Sequence, residues 1–348
     1  MSYSINGVRV LDSDLSSSII TITAERQAFP LSAKPFEGIG ANTTHGYIAG
    51  GRATNPPGNS QSTGGSRFPF AVDEGSTTFD GNAAVYQTNR ELVASMASTT
   101  HGYSCGGSYP YSATNDEIEK YNLASSGGGS DVGDLTRSVR RPGGHNSTTH
   151  GYCSGGSPSE PVSTSNIIEK FPFATDENAT DVGDLAASFF DVAGTSSGEH
   201  GYVIGGRTLP PTYGVTRMER FPFPSDDNAS DIGDLVKGHG VSADGVSSAT
   251  HGYACGGYKD PSPSVDANLN EIQRFSFASA AACVDVGNLT DGRFGLGGHS
   301  SPTHGYTSGG WMPTLTNVIE KFPFSKDDNA TDVGDMAQSR YGHGSTQG

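Results

Sequence analysis

Apolar and polar residues alternate in short segments along most of the chain, a pattern typical of half-buried β-strands. In His200-Gly-Tyr-Val-Ile204, for example, the alternation places His200, Tyr202 and Ile204 on one face of a strand. Apolar residues at helical spacing do not recur. Glycine, with 49 of 348 residues, is about twice as frequent as its usual ~7% share, which disfavours long helices. The pattern therefore predicts an all-β protein of short strands.

A unit of about 50 residues occurs six times, which predicts stacked or radially arranged structural repeats. Each copy contains His-Gly-Tyr followed, two residues later, by Gly-Gly; the copies begin at His45, His101, His150, His200, His251 and His304. A second block of the type Glu169-Lys-Phe-Pro-Phe173 follows, and then a third of the type Asp181-Val-Gly-Asp184, which is degenerate in the first copy. We predict four strands per unit, one before His-Gly-Tyr and one at each block.

The three blocks together resemble kelch repeats. The resemblance rests on the doubled glycine after the aromatic second strand, on the Ile-Glu-Lys-Phe type of third strand and on the glycine in the fourth, and it covers residues 36–348. It implies a six-bladed β-propeller with four-stranded blades around a central channel. Where kelch blades usually carry Trp in the fourth strand, this chain has Val132, Val182, Ile232, Val286 and Val333.

A longer sequence within the repeat, seen in residues 171–184, is similar to kelch-like repeat proteins encoded by marine bacteriophages, which are often virion components. That similarity implies a non-enzymatic structural protein of the tail, fibre or capsid surface that binds protein or glycan during host attachment. Two alternatives remain, a cellular kelch-like adaptor and a propeller enzyme. The sialidase-type Ser-x-Asp-x-Gly-x-x-Trp box and a singular Tyr/Cys/His set are both missing from the sequence, so we expect no catalysis.

The repeat supplies seven candidate first strands for six blades. The C-terminal segment Ser339–Ser345 imitates Arg293–His299 and is predicted to return to the blade of His45, which would close the ring and remove two open sheet edges. The rival first strand for that blade is Phe36–Asn42. The sequence leaves both open.

Residues 1–35 lie outside the repeat and are predicted to form an N-terminal arm for assembly or anchoring on other virion proteins. Val8, Val10 and the run Ile19–Ile22 predict strands, with a hairpin turn around Asp12-Ser-Asp14. We expect the protein to be a homo-oligomer, or to be present in many copies in a particle.

The net charge of −16 argues against a nucleic-acid partner, because such a partner requires a basic face. No apolar run approaches the ~18–20 residues that cross a bilayer, so membrane insertion is not expected. The segment Met1–Val10 has no signal-peptide pattern, which favours synthesis in the host cytoplasm and location in the virion. Cys105, Cys153 and Cys255 occupy positions that small residues share, and we predict that they are buried.

The repeated residues suggest contacts within the fold. Each His-Gly-Tyr histidine is predicted to support its own blade by hydrogen bonding, because equivalent residues of different blades lie far apart. A basic residue in every third strand is followed about 14 positions later by Gly-Asp or Gly-Asn, and it is predicted to form an ion pair or to cap the carbonyls of the turn. Four further histidines, His145, His239, His299 and His343, are placed on first strands beside the channel, where a metal site remains an alternative.

Three acidic turns carry several oxygen ligands within six residues, a composition that suits calcium. The candidate ligands are Asp176, Asn178, Asp181, Asp226, Asn228, Asp231, Asp327, Asn329 and Asp332. The alternative is Asx-turn chemistry, in which these side chains accept hydrogen bonds from nearby amides. Apart from this weak calcium site, we expect no cofactor.

The loops between the second and third strands vary in length and carry aromatic residues. Tyr and Trp provide large contact areas at low entropic cost, as binding surfaces require. The candidate binding residues are Tyr109, Tyr111, Tyr213, Tyr258 and Trp311. The alternative is that these aromatics fold back over the blades as packing residues.

Overall fold

The described part of the chain consists of β-strands and their connections, and none of it is helical, so it contains no helix long and apolar enough to cross a membrane. The computed structural model describes residues 2–5, 8–11, 44–53, 64–78, 89–108, 113–125, 128–158, 163–209, 214–240, 246–259, 268–279 and 281–347. By its contacts the chain divides into two units, Met1–Pro35 and Phe36–Gly348.

The second unit contains six four-stranded antiparallel sheets, which are the blades of a β-propeller and confirm the predicted fold. The first strands are β6 (Ala94–Ala97), β10 (Gly143–Asn146), β14 (Ala193–Ser196), β18 (Val246–Ser247), β22 (Gly297–Ser300) and β26 (Gly344–Gln347). The second strands are β3 (His45–Ala49), β7 (His101–Cys105), β11 (His150–Ser154), β15 (His200–Ile204), β19 (His251–Cys255) and β23 (His304–Ser308).

The outer half of each blade is formed by the other two sequence blocks. The third strands are β4 (Gly65–Pro69), β8 (Asn115–Asn122), β12 (Ser165–Pro172), β16 (Arg217–Pro222), β20 (Glu271–Ser276) and β24 (Val318–Pro323). The fourth strands are β5 (Thr77–Thr78), β9 (Ser130–Val139), β13 (Thr180–Phe189), β17 (Ser230–Asp234), β21 (Val284–Asn288) and β25 (Thr331–Asp335). We number the blades 1 to 6 from the one that contains His45.

The ring closes through the C-terminal strand. β26 pairs with β3 in blade 1, from Gly344 opposite Ala49 to Gln347 opposite Gly46. The first strands also contact one another in a closed cycle, β6, β10, β14, β18, β22, β26 and back to β6. The prediction of C-terminal closure is therefore confirmed, and the rival segment Phe36–Asn42 lies outside the described residues.

The first strands are shorter than predicted. The segment Arg293–His299 joins the sheet only from Gly297, where β22 begins, because Gly295 adopts a φ of 63° and Phe294 forms an isolated bridge with Trp311. Residues 293–296 instead form the connection from the preceding blade.

The glycine of His-Gly-Tyr is required by an aromatic ring on the neighbouring strand. A Cβ added to Gly201 would lie 2.3 Å from the Phe221 ring, and one added to Gly102 would lie 2.3 Å from the Tyr121 ring.

The tyrosine of the same motif packs between blades. Its ring stacks on the last Phe of the next blade's Phe-Pro-Phe block, for example Tyr152 on Phe223 at 4.6 Å between centroids. The motif therefore joins each blade to its neighbour.

The glutamate of the third strand is buried and forms ion pairs or hydrogen bonds, a role that was not predicted from the sequence. Glu119 pairs with the fully buried Arg90 at 2.9 Å, and Glu320 pairs with the equally buried Arg293. In blade 3, Glu169 accepts from the backbone N–H of Thr136 at 2.6 Å, and its burial raises the pKa of its carboxyl. Removing one partner of such a pair leaves a buried charge uncompensated.

The first unit contains one described hairpin, in which β1 (Ser2–Ile5) pairs with β2 (Val8–Leu11). Val8 and Val10 are thus in a strand, as predicted, and that strand pairs with the residues before it. In the sequence Asn6-Gly7 separates β1 from β2, and this dipeptide is the strongest short signal for a two-residue hairpin turn. Ile19–Ile22 and Asp12–Asp14 lie outside the described residues.

Candidate functional site

The antiparallel order of the strands gives the ring two chemically different faces. The connections from second to third strands, and from each fourth strand to the next blade, emerge on one side, which we call the loop face. The tight turns from first to second strands and the acidic turns from third to fourth strands emerge on the other side, which we call the turn face.

On the turn face the acidic turns join neighbouring blades. The side-chain oxygen of each turn asparagine accepts from a backbone N–H in the fourth strand of the preceding blade, at 2.9 to 3.1 Å: Asp134 donates to Asn178, Asp184 to Asn228 and Asn288 to Asn329. The last aspartate of each turn accepts from the N–H two residues later, at 3.0 to 3.3 Å: Gly183 donates to Asp181, Gly233 to Asp231 and Gly334 to Asp332. The latter is Asx-turn geometry.

The first aspartate of each turn forms an ion pair across the blade boundary. The pairs span 2.5 to 2.9 Å: Lys120 with Asp176, Lys170 with Asp226, Arg274 with Asp327 and Lys321 with Asp73. These four basic residues therefore form ion pairs, which was one of the two predicted roles, but their partners lie in the next blade and not about 14 residues later in their own blade. The aspartates are about half exposed, so each pair contributes only ~0–1 kcal/mol.

The calcium prediction can be tested by removing divalent cations. All nine candidate ligands have a partner within the protein, and the described residues contain no group of three or more His, Cys, Asp or Glu side chains arranged to hold a metal. We therefore expect EDTA to leave the melting temperature unchanged. A fall in melting temperature that added Ca²⁺ reverses would instead establish a calcium site at these turns.

The His-Gly-Tyr histidines lie at the turn face and are partly exposed. In five blades Nδ1 lies 2.8 to 2.9 Å from the hydroxyl of the preceding threonine, as for His150 and Thr149. Partial burial lowers the pKa of each of these imidazoles. Each of these five histidines thus contacts a residue of its own blade, as predicted.

The four other histidines are buried near the channel but do not form one cluster. His145 lies on β10, with Nε2 2.7 Å from Ser154 Oγ and Nδ1 3.1 Å from the Thr195 carbonyl. His299 on β22 and His343 just before β26 both contact Ser308 Oγ, at 2.9 and 3.1 Å. His239 lies in a blade connection rather than on a first strand. The metal alternative is therefore not supported, since no three of these imidazoles come together.

Of the predicted aromatic binding residues, Tyr258 and Trp311 are described, whereas Tyr109, Tyr111 and Tyr213 lie outside the described residues. Tyr258 and Trp311 are partly exposed on the loop face, at the inner edge of blades 5 and 6. Phe294 lies 5.5 Å from Tyr258, and Tyr341 lies 6.5 Å from Trp311, between ring centroids. Together these four rings form an arc, which we call the aromatic arc.

Arginines and carboxylates complete the circle around the channel mouth on the loop face. Arg52 donates two hydrogen bonds to Glu91 at 2.8 and 2.9 Å, and its guanidinium lies over the Tyr341 ring at 5.8 Å. Arg141 and Arg207 both approach one oxygen of the buried Asp191, at 3.0 and 3.3 Å. Arg140 also lies near Asp191.

Phe294, Tyr341 and the arginines of the mouth were not predicted from the sequence. Phe294 and Tyr341 follow Arg293 and Arg340 in the two matching segments Arg293–His299 and Ser339–Ser345, so they were counted as strand residues. One feature of the sequence could have indicated these residues. A repeat position that is glycine in two blades, at Gly295 and Gly342, is occupied in three others by Leu92, Arg141 and Asp191.

No protein-family model matches the chain, and no curated protein matches its sequence. The kelch-like and phage-like resemblances therefore rest on the repeat residues alone. The β-propeller itself rests on the structure, and it is an architecture suited to binding other proteins.

Proposed function

We propose that this protein is a non-enzymatic binding propeller of a virion, which recognises a protein or a glycan through its loop face. The observation that carries the proposal is the set of aromatic rings and arginines around the channel mouth, of which Tyr258, Trp311 and Arg141 are partly exposed. Aromatic and arginine side chains are the residues most often found at the energetic centres of binding surfaces. The closed ring holds them in fixed positions, which reduces the entropy lost on binding.

The proposal that the protein is not an enzyme is supported by the surroundings of its cysteine and histidine side chains. All four cysteines are buried thiols, as predicted for Cys105, Cys153 and Cys255, and burial raises the pKa of each of them. A thiol with a raised pKa supplies little thiolate, the nucleophilic form. The described histidines that have hydrogen-bond partners contact residues of their own blade or of the next blade.

The virion setting is supported by the similarity of the repeats to phage-encoded proteins and by the N-terminal arm. We propose that residues 1–35 anchor the protein on other virion components, in many copies or as a homo-oligomer. Mass spectrometry of purified particles tests the setting. Peptides of this chain should be recovered with the particle, and recovery only from the lysate of infected cells would contradict the proposal.

Deleting residues 1–35 should leave the propeller folded but abolish its incorporation into particles or its oligomerisation. The reason is that this segment forms a unit separate from the ring by its contacts. Calorimetry measures the first effect, and light scattering together with particle reconstitution measures the second. Normal incorporation of the truncated chain would show that the ring itself carries the assembly contacts.

A further inference from the structure

The strand that closes the ring, β26, is preceded by a buried histidine. His343 stands immediately before β26, at the position that four other blades fill with an apolar residue: Val93, Pro142, Val192 and Leu296. All five side chains are buried. An apolar side chain fills this position with no polar group to satisfy, so packing alone does not require the histidine.

The side chain of His343 lies in the seam between blades 6 and 1. A Cβ added to Gly51, which follows β3 of blade 1, would lie 2.7 Å from the Cβ of His343. One added to Gly297, on β22 of blade 6, would lie 2.6 Å from Nε2 of His343. Since β26 pairs with β3 and contacts β22, a charge on this imidazole would act directly on the contacts that close the ring.

Two histidines of this seam are joined by one serine in a chain of hydrogen bonds. His299 Nδ1 lies 3.0 Å from the Thr346 carbonyl of β26, so it carries the proton that it donates there. Nε2 of the neutral ring is then an acceptor, and it accepts from the Ser308 hydroxyl at 2.9 Å. The Ser308 oxygen in turn accepts from His343 Nε2 at 3.1 Å. Nδ1 of His343 remains a buried acceptor without a hydrogen-bond partner among the described residues.

This chain of hydrogen bonds is compatible only with neutral imidazoles. A proton on Nε2 of His299 would abolish the bond that this atom accepts from Ser308. A proton on Nδ1 of His343 would bury a charged donor that has no acceptor. Either charge would also face the other imidazole and Arg340, whose guanidinium donates to two backbone carbonyls. Burying a charge without a partner carries a large cost in free energy.

Two further charged side chains share a cavity with His343. Arg141 and Asp191 line this cavity of about 50 Å³ at the channel mouth, and they form an ion pair with each other at 3.0 Å. Burial, His299 and Arg340 lower the pKa of His343 well below its ordinary value of 6.5, and burial lowers the pKa of His299 to about 4. Both imidazoles are therefore neutral in the closed ring at pH 7.

We propose that His299 and His343 form an acid-sensitive latch, whose protonation releases β26 from the ring while the other blades stay folded. Release exposes both imidazoles to water, where they take up protons below about pH 6.5. It also uncovers the edge of β3, whose backbone N–H and C=O groups can pair with a strand of another chain. Acidification would thus convert the closed ring into a form open to strand addition.

Hydrogen exchange of the full-length chain at pH 7 and pH 5 tests the latch. Each histidine that is neutral in the closed ring and titrates near 6.5 in the open form should lower the protection factors of the β26 amides about 25-fold over this interval. The two histidines together should lower them several hundred-fold. The amides of β15 and β16 in blade 4 should lose much less protection. Equal losses in β26 and in blade 4 would overturn the latch, because they would show unfolding of the whole ring.

The decisive variant is His343→Leu, which introduces the residue found at the equivalent position in blade 6. It should make the loss of β26 protection between pH 7 and pH 5 about 25-fold smaller. It should also keep or raise the melting temperature at pH 7, since it removes a buried acceptor that has no partner. His343→Gln, which is polar but does not titrate, should reduce the pH dependence equally and serves if the leucine variant fails to fold.

The matched control is His145→Gln in blade 3. His145 has contacts equivalent to those of His299, with Ser154 Oγ and the Thr195 carbonyl, but it lies away from β26. This variant should leave the pH dependence of β26 protection unchanged. Unchanged pH dependence in both His343 variants, or an equal reduction in His145→Gln, would contradict the proposed latch.

Discussion

Deletion of residues 340–348 is expected to destabilise the ring strongly. The deletion removes β26, which is the first strand of blade 1 and contacts the first strands of blades 2 and 6. It also removes Arg340, whose buried guanidinium donates to the carbonyls of Gly50 and Gly64, and Thr346, which contacts Tyr121. We expect a fall in melting temperature of many degrees or aggregation through the exposed edge of β3, since 1 kcal/mol corresponds to roughly 2–4 °C in domains of ~150–250 residues.

The matched control is a deletion of similar length from the other end, residues 1–11, which removes only the hairpin of the first unit. This variant should melt as the parent chain does. An unchanged melting curve for the 340–348 deletion would show that another segment, such as Phe36–Asn42, can supply the missing strand.

Acidification from pH 6.5 to pH 4 should destabilise the propeller by several kcal/mol. Burial lowers the pKa of His145, His239 and His299 to about 4 from the ordinary value of 6.5, and lowers that of His343 further. The folded state therefore binds fewer protons than the unfolded state in this interval, and stability is complete above pH 6.5 and is lost as the pH falls. Each of the first three histidines should contribute about 3 kcal/mol to the loss.

Urea unfolding across this pH interval measures the effect, and a histidine variant isolates its origin. In His145→Gln the loss of stability between pH 6.5 and pH 4 should be smaller by about 3 kcal/mol. The raised pKa of the buried Glu169 and Glu219 acts in the opposite direction, which makes the comparison with the parent chain essential. Equal losses in the parent and in the variant would show that His145 is not the source.

The strands and their order could be predicted because each repeat contains its own local signals. His-Gly-Tyr, the third-strand block and Asp-Val-Gly-Asp each fall on a strand, as in β11, β12 and β13. Contacts between blades were harder to predict. Lys170 pairs with Asp226, 56 residues away, because neighbouring blades bring their turns together, whereas sequence spacing favoured a partner within the same blade.

The candidate site could be predicted only as a face of the ring. The variable loops predicted a face that carries Tyr and Trp, and the structure places Tyr258 and Trp311 on the loop face, while binding by that face is a proposal. Arg141, Asp191 and Arg207 come from two different blade connections and one loop, and each is unremarkable alone in the sequence. They become one charged group only after the ring has closed, which is a property of the tertiary structure.

The binding of a loop-face variant to its natural target tests the central claim most directly. The target is the particle lacking this protein or the surface of the host cell, and the variant is Tyr258→Ala combined with Trp311→Ala. Anchors of this kind often contribute about 2 kcal/mol each, so the loss of one should lower affinity roughly 30-fold and the loss of both several hundred-fold, while the melting temperature changes little. The control, Lys170→Met on the turn face, should bind as the parent does. Full affinity in the double variant, or loss of affinity in Lys170→Met, would contradict recognition by the loop face.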